Sequence, residues 1–305
     1  MRSSSGAPAR LRPPIRRATI ALLAALTAAA SILVAAGPRP AGAQVPGGRY
    51  VALGDSFTAG PLIPDQTLSP LGCLRSTQDY PAEVQRALAF GQFADASCSG
   101  ADTGDMTASQ GVWPGPNPPQ LDRLTADTTV VTLGVGGNDI GFSSIIESCA
   151  TLTPWATPFR DTYTAGGVDQ LAQRIAATAP KVAAVIQGIH QRSPAATVFV
   201  VGYPAILPDS GSGCWPSMPI GWADVPYLRA TEKALNAMLA EQARAQGAVY
   251  VDVYTPSIGR DACRSASTRW VEPFVPANPA APVHPNARGM DGMAASVVAA
   301  IRAHT

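Results

Sequence analysis

Two runs constrain the fold of this chain more than any other feature: TVVTLGVG at 129–136 and TVFVVGY at 197–203. Both are continuous and rich in β-branched residues, without the apolar–polar alternation of a strand that has one wet face. Strands of this kind are buried on both sides, as in a parallel sheet covered by helices. RYVALG at 49–54 and AVYVDV at 248–253 read as further strands, and FADASC at 93–98 as a weaker one. Helical stretches alternate with them at 80–90, 168–192, 223–247 and 287–305. Pro180 lies inside the longest and is expected to kink or restart it. Strands alternating with helices predict an α/β fold with a parallel sheet. No internal repeat or second domain is visible, and GVWPGPNPPQ and CWPSMPIGW read as loops within one domain, 44–305.

Residues 1–43 read as a secretory signal peptide. Arg10, Arg12, Arg16 and Arg17 precede an uncharged apolar stretch, and Ala41-Gly42-Ala43 has the small-x-small form of a cleavage site, leaving Gln44 first. An uncleaved membrane anchor is the alternative, since the apolar stretch approaches a membrane span in length. About 260 residues remain, enough for one full hydrophobic core. Lys and Arg total 22 against 21 Asp and Glu, and Lys181 and Lys233 are the only lysines. Without a basic stripe, nucleic acid and anionic membrane surfaces are poor partners. Five cysteines in an exported chain read as disulfides with one left over. Sequential pairing would join Cys73 to Cys98 and Cys214 to Cys263, each bridge contributing roughly 3–4 kcal/mol in the chain-entropy account. Cys149 would then be a buried apolar residue.

Ligands of an open parallel sheet bind beyond the carboxyl ends of its strands. VALGDSFTAG puts Ser56 at such an end, either as a nucleophile or as part of a helix cap with Asp55. A nucleophilic serine needs a base, and there are three histidines. His190 falls late in a helix and His304 is penultimate, so His284, between prolines in PVHPNARGM, is the candidate by elimination. Ala280, Ala281, Pro282 and Val283 precede it, with no carboxylate. A carbonyl from the Ala281 region, or the distant Asp252, would have to orient the imidazole. GVGGNDIGF and CSGADTGDM follow two other strands, offering Asn138 and the Gly100 backbone as oxyanion donors, with ordinary turns as the plainer account.

Ser56, Gly100, Asn138 and His284, each in its own block and in this order, resemble the SGNH (GDSL) hydrolase family. GDSFTAG, CSGADT, GGND and HPNARGM are the matching blocks, and the layout looks most like the secreted actinobacterial esterases and lipases. The resemblance implies a flavodoxin-like three-layer α/β/α sandwich with a central, mostly five-stranded parallel sheet. It implies Ser56 as nucleophile, His284 as base, and an oxyanion hole of the Ser56 and Gly100 N–H groups with the Asn138 side chain. Many members carry Asp three residues before the histidine, where this chain has Ala281. Some secreted relatives use a main-chain carbonyl there, so Ala281 is the expected acceptor. Such relatives tend to have three sequential disulfides, and here Cys149 has lost its counterpart.

The implied function is a secreted serine ester hydrolase, a lipase or esterase with phospholipase among the options. A carbohydrate acetyl esterase on the same site is the alternative, and a non-catalytic exported binding module the alternative from another class. Leu62, Ile63, Trp113, Ile140 and Phe142 are candidates for an apolar acyl groove. No cofactor or metal is expected, since the histidines are dispersed and neither HExxH nor CxxC occurs. The expected partner is a small-molecule or lipid ester, with no nucleic acid and no stable membrane insertion after leader removal, the enzyme being a monomer.

Overall fold

The computed structural model describes residues 47–304, so the leader 1–43 lies outside the described residues. Five strands form one parallel sheet in the order β2-β1-β3-β4-β5. They are β1 (Arg49–Gly54), β2 (Gln92–Asp95), β3 (Thr128–Gly134), β4 (Thr197–Val201) and β5 (Val249–Val251). Among the described residues eight α-helices accompany them: α1 (Ser56–Ala59), α2 (Tyr80–Leu88), α3 (Phe142–Cys149), α4 (Pro158–Tyr163), α5 (Gln170–Arg192), α6 (Asp224–Ala245), α7 (Tyr254–Ser257) and α8 (Ala287–His304).

Side chains alternate across a strand, so a sheet buried on both faces feeds two cores. Val51 and Leu53 of β1, Val131 and Leu133 of β3, and Val198 and Val200 of β4 enter one core, with Leu171, Val182 and Ile186 of α5 and Leu235 and Leu239 of α6. Tyr50, Ala52, Val130, Phe199 and Val201 enter the other, against Val84 of α2 and Met290 and Val297 of α8. This gives the three-layer sandwich, with α5 and α6 covering one face and α2 and α8 the other. The continuous apolar runs have their cause here, since both faces of β3 and β4 are dry.

Two expectations need correction. α5 passes through Pro180 without restarting. Its buried stripe, from Leu171 through Ile175, Val182 and Ile186 to Ile189, lies in the same core as Val131, Leu133, Val198 and Val200 of the sheet, burial that outweighs the roughly 3 kcal/mol that an internal proline costs. β2 stops at Asp95 instead of reaching Cys98. The Asp95 carboxylate turns the chain there by accepting the Ser97 N–H at 2.8 Å, although Ala96 and Cys98 still donate to Ala52 and Gly54 of β1. Cys73 is bonded to Cys98 and Cys214 to Cys263. Cys149 is buried, and that burial pushes its thiol up to about 12.

Candidate active site

The site begins at the carboxyl end of β1. Gly54 approaches β3 so closely that a Cβ there would fall 2.6 Å from the Gly134 carbonyl oxygen and 2.2 Å from Thr58 Oγ1. Only glycine fits. The buried Gln120 amide clamps the same residue on both sides, with Oε1 accepting the Gly54 N–H at 2.8 Å and Nε2 donating to its carbonyl at 2.9 Å. The chain then turns into α1, where Asp55 is the N-cap and accepts the Phe57 N–H at 2.8 Å. The capping role therefore falls to Asp55, which leaves the Ser56 hydroxyl available for other contacts.

Ser56 Oγ lies 2.8 Å from His284 Nε2. The imidazole is half-buried, and Phe57 and Phe142 flank it with ring centroids 5.0 and 6.5 Å away. Burial holds its pKa below 6.5, opposed in part by a backbone hydrogen bond from Nδ1. The acceptor of that bond is the Pro282 carbonyl oxygen at 2.8 Å, not the expected Ala281. The Ala281 carbonyl instead accepts the His284 backbone N–H at 3.2 Å, closing a turn. Val283 inside that turn has a left-handed φ of 60°, which swings the Pro282 carbonyl toward the ring. With Nδ1–H donating to a carbonyl, Nε2 is the unprotonated nitrogen facing the serine. Asp252 follows β5 and accepts the Thr255 N–H at 3.0 Å, so it is committed elsewhere. His190 Nε2 faces the Gln246 carbonyl and His304 Nδ1 the Ala300 carbonyl.

Asn138 and Gly100 come from the loops after β3 and β2. Asn138 Nδ2 donates to the Ala101 carbonyl at 2.8 Å, joining the two loops and leaving its second N–H for another acceptor. Asp139 ties them again, accepting the Thr103 N–H at 3.0 Å and the Thr103 hydroxyl at 2.5 Å. Gly100 has φ 81°, the left-handed region that favours glycine, although a Cβ would meet only Gln110 Nε2 at 3.7 Å. Among the described residues, the Ser56 and Gly100 N–H groups have no protein acceptor. Two free amides and an amide side chain beside a serine–histidine pair suit a developing oxyanion.

Tyr203 connects the two halves of this arrangement. Its hydroxyl donates to Asp55 Oδ2 at 2.6 Å and accepts the Gly137 N–H at 2.8 Å. One buried phenol thus links the residue before Ser56 to the residue before Asn138. Burial raises the Asp55 carboxyl to about 7, against the lowering effect of the Tyr203 and Phe57 hydrogen bonds. Tyr203→Phe removes both bonds while keeping the ring. It is expected to lower kcat about tenfold with little change in KM, and to raise the Asp55 pKa further. A Michaelis analysis of the variant checks this, and an unchanged kcat would remove Tyr203 from the positioning of the site.

The His284 loop has its own anchor. Glu272 donates its N–H to the His284 carbonyl at 3.0 Å and accepts the Val283 N–H at 3.1 Å. Its fully buried carboxylate accepts from Asn286 Nδ2 at 2.6 Å and Asn278 Nδ2 at 2.7 Å, and pairs with Arg269 at 2.7 Å. Asn286 in turn caps α8, accepting the Gly289 N–H at 3.0 Å. Burial alone would raise the Glu272 carboxyl, but the Arg269, Asn278, Asn286 and Ala277 hydrogen bonds outweigh it and hold it at about 2. A depressed carboxylate stabilises the fold fully above its unfolded value near 4.3. That contribution is lost as pH falls from about 4 through about 2. Glu272→Ala strands the nearly buried Arg269 and is expected to cost about 3–5 kcal/mol, read as a lower Tm at pH 7. The loss should shrink toward pH 2, where the wild type loses the same contribution.

Three of these supports, Gln120, Tyr203 and Glu272, do not emerge from sequence reasoning. Gln120 ends a Pro-rich run that reads as a loop, and nothing local marks Tyr203 or Glu272. Of the residues expected in an acyl groove, Phe142 lies beside His284 and Ile140 borders a small apolar cavity. Ile63 is instead packed in the core with α2 and α8, while Leu62 and Trp113 project into solvent. Among the described residues no group of three or more His, Cys, Asp or Glu is placed to hold a metal ion.

Residues 52–291 match the GDSL-like Lipase/Acylhydrolase family, a span that contains every residue of the site just described. The chain belongs to that family. It is a carboxylic ester hydrolase. Lipase 2 of Streptomyces coelicolor is 37% identical over 290 residues, covering 93% of this chain and 96% of that protein. An esterase of Streptomyces scabiei is 28% identical, covering 83% of each. Among solved structures, an extracellular lipase from Streptomyces rimosus superposes with a TM-score of 0.66 at 28% identity, over 83% of this chain and 99% of that one. Phospholipase A1 from Streptomyces albidoflavus shares the fold at 23% identity, with a TM-score of 0.67 over 84% of this chain and all of the other.

Proposed function

We propose that this enzyme hydrolyses lipid or medium-chain carboxylic esters through an acyl-enzyme on Ser56, with His284 as the base. The observation that carries this is the 2.8 Å contact between Ser56 Oγ and His284 Nε2. His284 Nε2 takes the hydroxyl proton as Oγ attacks the ester carbonyl carbon. The Pro282 carbonyl holds Nδ1–H, fixing the tautomer that leaves Nε2 basic. Negative charge gathers on the carbonyl oxygen, and the Ser56 and Gly100 N–H groups with Asn138 Nδ2 receive it. The imidazolium then protonates the departing alcohol. Water, deprotonated by the same nitrogen, attacks the acyl carbon and releases the acid and free Ser56. Because burial lowers the His284 pKa, the acid limb of kcat/KM has its midpoint below 6.5.

Aromatic rings beside the imidazole and exposed leucines next to the Ser56 turn support lipid-like esters over small polar ones. No helix among the described residues is long and apolar enough to cross a membrane. Two disulfides and the leader-like residues 1–43 support a secreted enzyme starting at Gln44, which N-terminal sequencing of the exported protein tests. The substrate reading is tested by p-nitrophenyl esters from acetate to palmitate. Ser56-dependent turnover peaking at medium or long chains is the expected result. Turnover confined to acetate would favour an acetyl esterase on the same residues.

A further inference from the structure

Four of the five tryptophans are exposed, which is unusual for so large and apolar a side chain. Trp113 is 91% exposed, and Leu62, Leu68 and Leu71, all on the 61–74 loop, are 51, 79 and 40% exposed. Backbone contacts put Trp113 beside Leu71. Gly72 N–H donates to the Pro114 carbonyl at 3.2 Å, and a Cβ on Gly72 would meet the Trp113 backbone at 2.9 Å. The same loop touches both catalytic loops. Ala281 N–H, on the His284 loop, donates to the Pro61 carbonyl at 2.9 Å. Ser99 N–H, on the Gly100 loop, donates to the Cys73 carbonyl at 3.0 Å, alongside the Cys73–Cys98 disulfide. Exposed apolar side chains therefore stand on a loop that is bonded to both the His284 loop and the Gly100 loop.

Charge identifies what these side chains meet. Residues 61–74 contain one ionisable side chain that carries charge at neutral pH, Asp65, and residues 111–116 contain none. An anionic surface would be met by clustered lysine and arginine. A protein partner or second copy would need about 800 Å² per side, more than four partly exposed apolar side chains on two loops supply. Tryptophan and leucine on uncharged loop tips suit the boundary of an electrically neutral lipid phase, where an indole puts its apolar body inward and its N–H toward water.

We propose that the Leu62–Leu68–Leu71–Trp113 rim is the surface by which this enzyme adsorbs to an uncharged or zwitterionic lipid–water interface, bringing Ser56 onto ester groups held there. The inference rests on the lipid-ester reading above. Adsorption is peripheral, through side chains alone.

The test uses Ser56→Ala protein and vesicles of ether-linked phosphatidylcholine, which carry no ester to cleave. Co-sedimentation is expected to show binding. Adding Leu68→Ser and Trp113→Ser is expected to lower the partition coefficient about 10–100-fold. In the Ser56 background, the same two changes should leave turnover of a fully dissolved short-chain ester within twofold. Absence of vesicle binding by the parent would overturn the proposal, as would undiminished binding by the Leu68/Trp113 variant. So would binding that requires anionic lipid, or that is lost instead on changing the exposed Trp155 and Trp222 to Ser. A failure of the lipid-ester reading is distinguishable, because it would appear as missing turnover of long-chain esters by the wild type.

Discussion

Replacing His284 by Ala is expected to lower kcat for a soluble ester by about 10⁴–10⁶ while the protein remains folded. The size follows from the geometry. In the proposed mechanism His284 Nε2, 2.8 Å from Ser56 Oγ, is the base, and the other two histidines bond carbonyls elsewhere. The fold should tolerate the change, because the loop is held by backbone bonds from Glu272 and by the Asn286 cap, not by the imidazole. Circular dichroism and Tm would therefore stay near wild type, and added imidazole should restore part of the rate. A loss below tenfold would mean that another group accepts the serine proton.

Ser56→Ala is expected to remove about 10⁶ from kcat, leaving only what binding and the oxyanion donors supply. Combined with His284→Ala it should cost little more than either alone, since the two act on one proton. Additive losses would contradict a shared step. The fold should be barely affected, as Asp55 rather than Ser56 caps α1 and Gln120 clamps the preceding glycine. The alanine variant is therefore a clean comparison for every activity assay described above.

Much of the fold is legible in the sequence because burial on both faces leaves continuous apolar runs, and β1, β3 and β4 show them. Short edge strands carry less pattern, so β2 and β5 are both shorter than their apolar stretches suggest. α3 and α4 escape sequence reasoning because they lie among Pro, Gly, Ser and Thr residues, where tertiary contacts decide helix formation. Pro180 misleads for the opposite reason, a local rule overridden by packing along α5.

The site divides in the same way. Ser56, Gly100, Asn138 and His284 are legible as candidates because each sits in a short block with a turn residue that the proposed chemistry requires. The acceptor for Nδ1 cannot be found this way. Whether it is the carbonyl of Ala281 or of Pro282 depends on the left-handed φ of Val283, a non-glycine residue with no signature for that conformation. Gln120, Tyr203 and Glu272 act from 64, 147 and 216 residues beyond Ser56 in sequence, through buried hydrogen bonds that only the folded chain assembles.

Whether His284 activates Ser56 as a covalent nucleophile is read most directly by labelling with a fluorophosphonate followed by peptide mass spectrometry. One adduct per chain is expected, on Ser56, forming rapidly in the wild type and very slowly in His284→Ala. An adduct on another residue, or no adduct in an enzyme that still hydrolyses esters, would contradict it.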